Sequence, residues 1–306
     1  MIYTLTLNPA IDASSHISKP FAKGGLNRIY KIRRDPGGKG INVSKTLRNL
    51  GEPTCACFLS GGAAGRELYD MLVEADIQCV CAEIGTGNTR TNLKITDSDG
   101  YTTEINEEGP AFDFQASAAI RKRLLEMATP HDVVVISGKI PPSAPTDIYR
   151  TIIREIAHRG IKVILDASGD ALENGLRSVP FAVKPNAAEV GINEDVDSAI
   201  RVCSRILSVG TSIALISLGE KGAVYCDRSG VMMYAEGMKI DARCTTGCGD
   251  AMTAGLAYGI ANNLSAEDTV RIACACGTAA ALTDGTQAPT AGSIAGFEDK
   301  IRIIPL

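Results

Sequence analysis

Short continuous apolar runs alternate along the chain with longer segments whose apolar residues recur at helical spacing. Asp132–Ser137, Lys162–Asp166 and Ile213–Ser217 predict buried strands, whereas Gly65–Ala75 and Ala144–Arg159 predict helices. Buried strands that alternate with amphipathic helices are typical of a parallel sheet covered on both faces. The pattern therefore predicts an α/β fold with a doubly wound, mostly parallel sheet. Further strands are predicted at Met1–Leu7, Pro53–Ser60 and Phe181–Lys184.

Two segments interrupt this pattern, at Ser14–Arg34 and Thr89–Asn106. In the second segment, apolar and polar residues alternate on the first arm, and Asp97-Ser-Asp-Gly100 has the composition of a turn, which predicts a β-hairpin. A few short antiparallel strands do not belong in a doubly wound sheet. We therefore expect the two segments to form a separate flap.

The last third of the chain is predicted to be helical. Ser265-Ala-Glu-Asp268 has the form of a capping box at a helix start. Small residues that fall four apart form two rows, which we expect to serve close packing rather than chemistry. The rows are Ala251, Gly255 and Gly259, and Ala273, Gly277 and Ala281.

Length and charge limit the functions that the chain can have. Its 306 residues are near the upper limit of one hydrophobic core, so we expect one large domain with an appendage. The net charge of −4 gives no electrostatic reason to expect nucleic acid binding, so anionic substrates would need locally concentrated positive charge. The chain begins with a predicted strand and has no apolar run of membrane-spanning length, so we expect no membrane association and a cytoplasmic location.

The ten cysteines include three Cys-x-Cys pairs. Zinc sites usually need longer spacings with additional partners, and the chain has only three histidines. We therefore expect small buried thiols in a reducing compartment. The three pairs are Cys55 and Cys57, Cys79 and Cys81, and Cys274 and Cys276.

The stretch Cys244-Thr-Thr-Gly-Cys-Gly-Asp250 is the leading candidate for chemistry, because it predicts a glycine turn that runs into a helix. Gly247 and Gly249 can adopt backbone angles closed to other residues. A helix start there would direct free N–H groups outward, which suits a phosphate. Asp250 would lie in the first turn, where its alternative role is simply a favourable charge at the helix end.

A second glycine cluster, Gly37-Gly-Lys-Gly-Ile-Asn42, lacks the spacing of a Walker A loop and of a dinucleotide-binding loop. Three glycines around Lys39 still allow a ligand to lie close to the backbone. The alternative is a tight turn before a helix predicted at Asn42–Leu50. Arg28 and Arg90 are candidate phosphate ligands or surface charges, and Asp12 is a candidate for sugar hydroxyls or a turn residue.

Two further loops follow predicted strands. In Lys184-Pro-Asn-Ala-Ala-Glu189, the carboxylate of Glu189 could orient a phosphate-bound magnesium ion, or it could close a capping box with Asn186. Ser217-Leu-Gly-Glu-Lys-Gly222 could line a nucleotide or form a plain hairpin turn.

Taken together and in this order, the motifs resemble those of the ribokinase-like sugar kinases of the PfkB family, over nearly the whole chain. The first two motifs are similar to its phosphosugar branch, which includes 1-phosphofructokinases, tagatose-6-phosphate kinases and minor 6-phosphofructokinases. The matching stretches are Asn8-Pro-Ala-Ile-Asp12, Gly37–Asn42, Thr89-Arg90, Ser137-Gly138, Lys184–Glu189, Ser217–Gly219 and Gly247–Asp250.

The resemblance implies a role for each of these motifs. Asp250 would be the catalytic base, and the N–H groups of Gly247, Cys248 and Gly249 would form an anion hole for the transferring phosphoryl group. Glu189 would orient the metal ion. The substrate-binding residues would be Asp12, Arg28, Gly38, Lys39, Asn42, Arg90 and Ser137. The ATP-binding residues would be Lys184, Asn186, Ser217, Gly219, Gly222 and Thr245.

The resemblance also implies a ribokinase-like fold, with residues 1–306 as one kinase domain and a small β-sheet lid formed by residues 13–34 and 89–106. The implied activity is ATP- and Mg²⁺-dependent phosphorylation of a ketohexose phosphate, with fructose 1-phosphate as the first candidate. Tagatose 6-phosphate and fructose 6-phosphate are the alternatives, and a non-catalytic sugar-phosphate-binding protein is an alternative of another class. A homodimer formed through the lid is expected.

Two positions depart from the pattern of this family. Cys248 replaces the usual alanine of the anion-hole motif. A thiol at a helix start can have a lowered pKa, so we expect Cys248 to be alkylated readily and to be protected by ATP. Lys139 stands where this branch usually carries serine, and it could alter contacts to phosphate.

Overall fold

The computed structural model describes residues 1–306 and contains a ten-stranded central sheet and a separate four-stranded sheet, called here the small sheet. The strands of the central sheet are β1 (Ile2–Thr6), β4 (Thr54–Ser60), β5 (Gln78–Glu83), β8 (Val133–Ser137), β9 (Lys162–Asp166), β10 (Ala182–Val183), β11 (Ile213–Ser217), β12 (Gly222–Asp227), β13 (Met232–Glu236) and β14 (Ile303–Pro305). The strands of the small sheet are β2 (Ala10–Ile17), β3 (Ile29–Gly37), β6 (Arg90–Thr96) and β7 (Thr102–Asn106). The helices are α1 (Lys39–Asn49), α2 (Gly62–Glu74), α3 (Phe114–Met127), α4 (Ile148–Ala157), α5 (Gly169–Leu176), α6 (Val196–Ser208), α7 (Cys248–Ala261), α8 (Ala266–Ala280) and α9 (Ala291–Glu298).

The central sheet has the order β14-β13-β12-β11-β10-β9-β8-β1-β4-β5. All pairs from β11 to β5 are parallel, and β12, β13 and β14 add an antiparallel edge. The predicted α/β fold with a mostly parallel sheet is confirmed. The antiparallel edge was not predicted, because the pairing of β12, β13 and β14 depends on contacts between segments that no local pattern specifies.

Helices cover both faces of the central sheet, which explains why its strands are apolar without interruption. Successive residues of β8 belong to different cores: Val134 and Ile136 pack in one, and Val133 and Val135 pack in the other. The first core includes α3, α4 and α6, and the second includes α7 and α8. Because successive side chains of a strand point to opposite faces, burial on both faces requires an apolar residue at every position.

The small sheet has the order β3-β2-β6-β7. The predicted hairpin is confirmed as β6 and β7, and the carboxylate of Asp97 accepts hydrogen bonds from the N–H groups of Asp99 and Tyr101, both at 3.0 Å. The prediction of antiparallel strands alone was wrong, because β2 pairs with β6 in parallel. The strands from the first segment also extend beyond residues 13–34, from Ala10 to Gly37.

The first row of small residues packs α7 against α8, as predicted. A methyl group built on Gly255 would lie 2.6 Å from the Cα atom of Ala273, and one on Gly259 would lie 2.5 Å from the hydroxyl of Thr269. The predicted cap of α8 is also confirmed, because the Ser265 hydroxyl accepts a hydrogen bond from the N–H of Asp268 at 3.1 Å. The contacts at Gly255 and Gly259 show that α7 requires glycine at these two positions for close packing against α8.

Three predicted helix starts were wrong. Helix α2 begins at Gly62 rather than Gly65. Helix α1 begins at Lys39 rather than Asn42, with Gly38 as its N-cap at φ 112° and ψ 138°. The second glycine cluster therefore forms a helix N-terminus. Helix α4 begins at Ile148 rather than Ala144, because turns occupy the chain as far as Asp147. None of the nine helices combines the length and the apolar character needed to cross a bilayer.

Candidate active site

The N-termini of α7 and α1 meet around the carboxylate of Asp250. Gly247 caps α7 in the left-handed region, at φ 90°, and the helix then places Asp250 in its first turn. Asp250 is only 6% exposed, and its Oδ2 atom accepts a hydrogen bond of 2.8 Å from the side-chain amide of Asn42 on α1. Two glycine clusters far apart in sequence thus bring an aspartate and an asparagine together.

The helix start at Gly247 has the features of an anion-binding site. No side chain caps the N-terminus of α7, so no capping side chain competes with an anion for its first N–H groups. The N–H of Cys248 makes only a long bond of 3.4 Å to the carbonyl of Thr245. A Cβ atom built on Gly249 would lie 3.5 Å from the ammonium of Lys184, so a positive charge adjoins this turn.

Asp166, the last residue of β9, organises the charges beside Asp250. Its carboxylate lies 3.2 Å from the ammonium of Lys39 and 3.9 Å from that of Lys184, and it accepts a hydrogen bond of 2.8 Å from Thr253 on α7. Lys39 also contacts Glu189 at 2.8 Å. The network therefore connects α1, α7 and the ends of two parallel strands.

Burial and these charges set the protonation of the network. Burial raises the pKa of Asp250 to about 6, and Asp166 adds to the rise, whereas Lys39 opposes it. Burial would also raise the pKa of Asp166, but Lys184, Lys39 and the hydroxyl of Thr253 together hold that pKa below its usual value of 3.8. Asp166 is therefore a fixed negative charge, and Asp250 is a carboxylate that can take up a proton near neutral pH.

A second polar group lies on the small sheet. The carboxylate of Asp12 accepts hydrogen bonds of 2.8 Å from Asn92 and from Thr286. Arg90 donates to the side chain of Asn92 at 2.9 Å and to the carbonyls of Asn8 at 3.3 Å and Glu107 at 3.2 Å. Asp12 and Arg90 are thus brought together, as predicted, through Asn92.

Lys45 joins the two groups, and the sequence reasoning missed it. Its half-buried ammonium donates to the side-chain oxygen of Asn42 at 3.2 Å and to the carbonyls of Thr286 at 2.6 Å and Pro36 at 2.9 Å. Burial lowers the pKa of Lys45 to about 8. Because the amide oxygen of Asn42 faces Lys45, its NH₂ group faces Asp250. Lys45 therefore fixes the orientation of this amide.

The residues predicted to bind ATP lie at the ends of β10 and β11, apart from Thr245. Asn186 and Glu189 exchange hydrogen bonds of 2.8 and 2.9 Å between side chain and backbone, so the capping-box alternative is realised while Glu189 also contacts Lys39. Asn186 forms a parallel bridge with Ser217. Gly219 lies in the turn between β11 and β12, Gly222 is the first residue of β12, and Thr245 is exposed in the loop before α7.

Three residues singled out in the sequence differ from the other site residues in exposure or in hydrogen bonding. Arg28 is exposed just before β3 and has no hydrogen bond or ion pair, so no contact connects it to the other site residues. Ser137, at the end of β8, is fully buried, and its hydroxyl has no hydrogen-bond partner. Lys139 is exposed two residues further on.

The expectation of a lowered pKa at Cys248 was wrong. Burial, with the neighbouring Cys244 and Asp250, raises the pKa of Cys248 to about 11. Its thiol lies 3.7 Å from the carbonyl of Cys244. Because burial raises the pKa, it outweighs any lowering of the pKa by the helix start.

We therefore expect Cys248 to react slowly with iodoacetamide at pH 7, and the Cys248→Ala variant to keep activity within about threefold of wild type. Peptide mapping after timed alkylation measures the first, with the half-buried Cys79 as an internal reference, because burial also raises its pKa to about 11. Modification of Cys248 much faster than of Cys79 would contradict the assignment.

Asp166 and Lys45 are site residues that sequence reasoning did not select. A signal for Asp166 was present, because it ends a buried parallel strand, where ligand sites of open α/β sheets occur. Lys45 gave no comparable signal, because a lysine within a helix is normally a solvated charge and only the contacts of α1 show otherwise.

Comparison with known proteins agrees with this geometry. The sequence model of one protein family, described as "pfkB family carbohydrate kinase", matches residues 2–291. The chain belongs to the pfkB family of carbohydrate kinases. It is therefore a phosphotransferase that acts on a sugar hydroxyl.

Individual relatives in this carbohydrate kinase family cover nearly the whole chain. The 1-phosphofructokinase of Bacillus subtilis is 33% identical, over 93% of each chain. That of Borreliella burgdorferi is 33% identical, over 98% of this chain and 95% of its own. The crystal structure of phosphofructokinase-2 from Escherichia coli in complex with fructose-6-phosphate has a TM-score of 0.90 and 27% identity, over 98% of each chain.

Proposed function

We propose that the protein is an ATP- and Mg²⁺-dependent kinase that phosphorylates D-fructose 1-phosphate at its 6-hydroxyl group, giving fructose 1,6-bisphosphate. The observation that carries this proposal is the buried carboxylate of Asp250 beside a helix N-terminus and two lysines. Similarity to two 1-phosphofructokinases supports the choice of sugar. Fructose 6-phosphate, which the Escherichia coli relative binds, and tagatose 6-phosphate are the alternatives.

Asp250 would accept the proton of the attacking hydroxyl group. Positioning and charge neutralisation dominate phosphoryl transfer, and a placed base adds about 10²–10⁴-fold. The N–H groups at Gly247–Gly249, with the ammonium of Lys184 beside them, would stabilise the charge that develops on the transferring phosphoryl group. Lys39 opposes a further rise in the pKa of Asp250, which keeps the base ionised at neutral pH.

The sugar would lie between α1 and the small sheet. Asp12, Asn42, the buried hydroxyl of Ser137 and the backbone at Gly38 supply hydrogen-bonding groups there. Arg90 donates three hydrogen bonds within the chain and has further N–H groups that would bind the phosphate already on the sugar. Arg28 remains a second candidate for that phosphate.

ATP would lie along the ends of β10 and β11, near Lys184, Asn186, Ser217, Gly219, Gly222 and Thr245. The carboxylate of Glu189 fits a magnesium ion by the chemistry of its oxygen atoms. No cluster of three or more metal-binding side chains occurs in the chain, so the nucleotide phosphates and water would supply most ligands and Glu189 would orient the ion. When bound, magnesium would neutralise phosphate charge.

The small sheet would act as a lid of the single kinase domain, residues 1–306, and as a homodimer interface. Large apolar side chains on this sheet and its adjoining loops are exposed, which supports association with a second copy. They are Leu26 at 74%, Ile29 at 44%, Tyr30 at 68%, Ile32 at 52%, Tyr101 at 74% and Ile105 at 52%.

Release of ADP in the presence of ATP and Mg²⁺ tests the function. We expect fructose 1-phosphate to give a larger kcat/KM than fructose 6-phosphate, tagatose 6-phosphate or unphosphorylated fructose. A preference for another phosphosugar would replace the proposed substrate. Tight binding of a phosphosugar without turnover would favour a non-catalytic binding protein.

A further inference from the structure

The inner face of the small sheet carries a lysine that the site described above does not use. The side chains of Asn92 and Asp12 meet through a hydrogen bond, so they share one face of the sheet. Lys94 lies two residues after Asn92 on β6 and therefore points to the same face. Asp12 also accepts a hydrogen bond from Thr286, so this face is turned toward the loops around the site.

Lys94 is buried without a hydrogen-bond partner. The residue is 6% exposed, and its ammonium is sealed from solvent and makes no hydrogen bond. The carboxylate of Glu104, directly across from it on β7, lies 4.0 Å away. A buried ammonium that lacks acceptors destabilises the fold, so the local packing gives no reason for lysine at this position.

Glu104 connects this lysine to the anion-binding turn. The same carboxylate oxygen that lies 4.0 Å from Lys94 accepts a hydrogen bond of 3.2 Å from the hydroxyl of Thr246. Thr246 directly precedes Gly247, the N-cap of α7. One oxygen atom therefore lies between the ammonium of Lys94 and the turn where a phosphate group would bind.

We propose that Lys94 is a phosphate-binding residue, whose ammonium exchanges Glu104 for a phosphate group held between the small sheet and the N-terminus of α7. This inference rests on the proposed phosphosugar kinase function. The phosphate has two possible sources, the phosphate already on the sugar and the phosphoryl group in transfer. Both would give the ammonium of Lys94 the charged hydrogen-bond acceptors that it lacks within the protein.

The test compares Lys94→Met with wild type. Methionine keeps a long apolar side chain but removes the charge, so packing is largely retained. A charged hydrogen bond is worth about 10- to 100-fold in binding, so we expect kcat/KM for fructose 1-phosphate to fall by about that factor. Lys122→Met, which removes an exposed lysine from α3, is the control and should leave the kinetics unchanged.

The kinetic constants distinguish the two sources of phosphate. A raised KM for fructose 1-phosphate with nearly unchanged kcat and ATP KM would assign Lys94 to the phosphate already on the sugar. A lowered kcat with an unchanged KM would assign it to the phosphoryl group in transfer. Either result supports the proposal.

Thermal unfolding separates binding from a structural role. Because Lys94→Met removes a buried ammonium that makes no hydrogen bond, we expect its Tm to equal or exceed that of wild type. A lower Tm together with lower activity, or kinetics within about twofold of wild type, would overturn the proposal.

Failure of the proposed function would be seen separately, as absence of sugar phosphorylation by the wild-type protein. Calorimetric titration with fructose 1-phosphate would then decide the role of Lys94. Weaker binding to Lys94→Met than to wild type would support the role in phosphate binding, and equal binding would exclude it.

Discussion

Replacing Asp250 with asparagine is expected to reduce kcat by about 10²–10⁴-fold, because the variant lacks the base that takes the hydroxyl proton. The asparagine side chain has nearly the same shape, and its oxygen can still accept the hydrogen bond from Asn42. We therefore expect the KM values for both substrates to change little. Steady-state kinetics with the phosphosugar and ATP measure this result.

Stability provides the control for Asp250→Asn. The folded-state pKa of about 6 lies above the usual value of 3.8, so the stabilisation by this group is complete below pH 3.8 and is lost as the pH rises through about 6. At pH 7 the ionised side chain is therefore unfavourable to folding, and asparagine should leave Tm equal or raise it. A variant with unaltered kcat would show that another group is the base.

The same pKa predicts the pH dependence of turnover. Below pH 6, protonation of Asp250 should lower kcat by about tenfold for each pH unit, whereas the residual activity of Asp250→Asn should lack this limb. Buffers of constant ionic strength between pH 4.5 and about 8 cover this range. An acid limb shared by both proteins would assign the titration to a different residue.

Replacing Asp166 with asparagine should have the largest effect on stability, about 3–5 kcal/mol, because it removes the carboxylate that two lysines share. Asp166 is fully buried, and Lys184 is 2% exposed, so solvent cannot replace the lost charge. Lys39 retains Glu189, but the acidic partner of Lys184 disappears. Denaturant unfolding measures the change in the free energy of unfolding.

The acid stability of the protein checks the same network. The pKa of Asp166 is lowered in the folded state, so its stabilisation is present above the usual value of 3.8 and is lost as the pH falls through the folded-state pKa. Asp166→Asn should therefore lose stability near neutral pH and show a weaker decline on acidification. Glu173→Gln, at an exposed ion pair with Arg205, is the matched control and should change stability little. Equal effects of the two substitutions would contradict the network.

Local sequence predicted some features well for identifiable physical reasons. The strands β8, β9 and β11 are buried on both faces, and each was located within one residue. The cap of α8 and the turn at Asp97 are formed by hydrogen bonds between neighbouring residues. Family motifs placed Asp250, Lys39 and Asn42 in one site, and the structure brings them together.

Other features depend on contacts between distant segments. The parallel pairing of β2 with β6 joins residues about eighty positions apart, and no local pattern specifies it. The raised pKa of Cys248 results from burial, which a helix-start motif does not report. Lys45 and Lys94 look like ordinary solvated lysines in the sequence, and only packing shows that Lys94 is buried and that burial lowers the pKa of Lys45.

The sequence by itself determined the α/β fold class, the carbohydrate kinase family and the aspartate that is the proposed base, because periodicity and ordered motifs are local properties of the chain. The tertiary structure decided which charged groups lie beside that aspartate and which lysine side chains are removed from solvent. The physical reason is that desolvation and Coulomb interactions act through space, so they arise only when β9, α1, α7 and the small sheet converge.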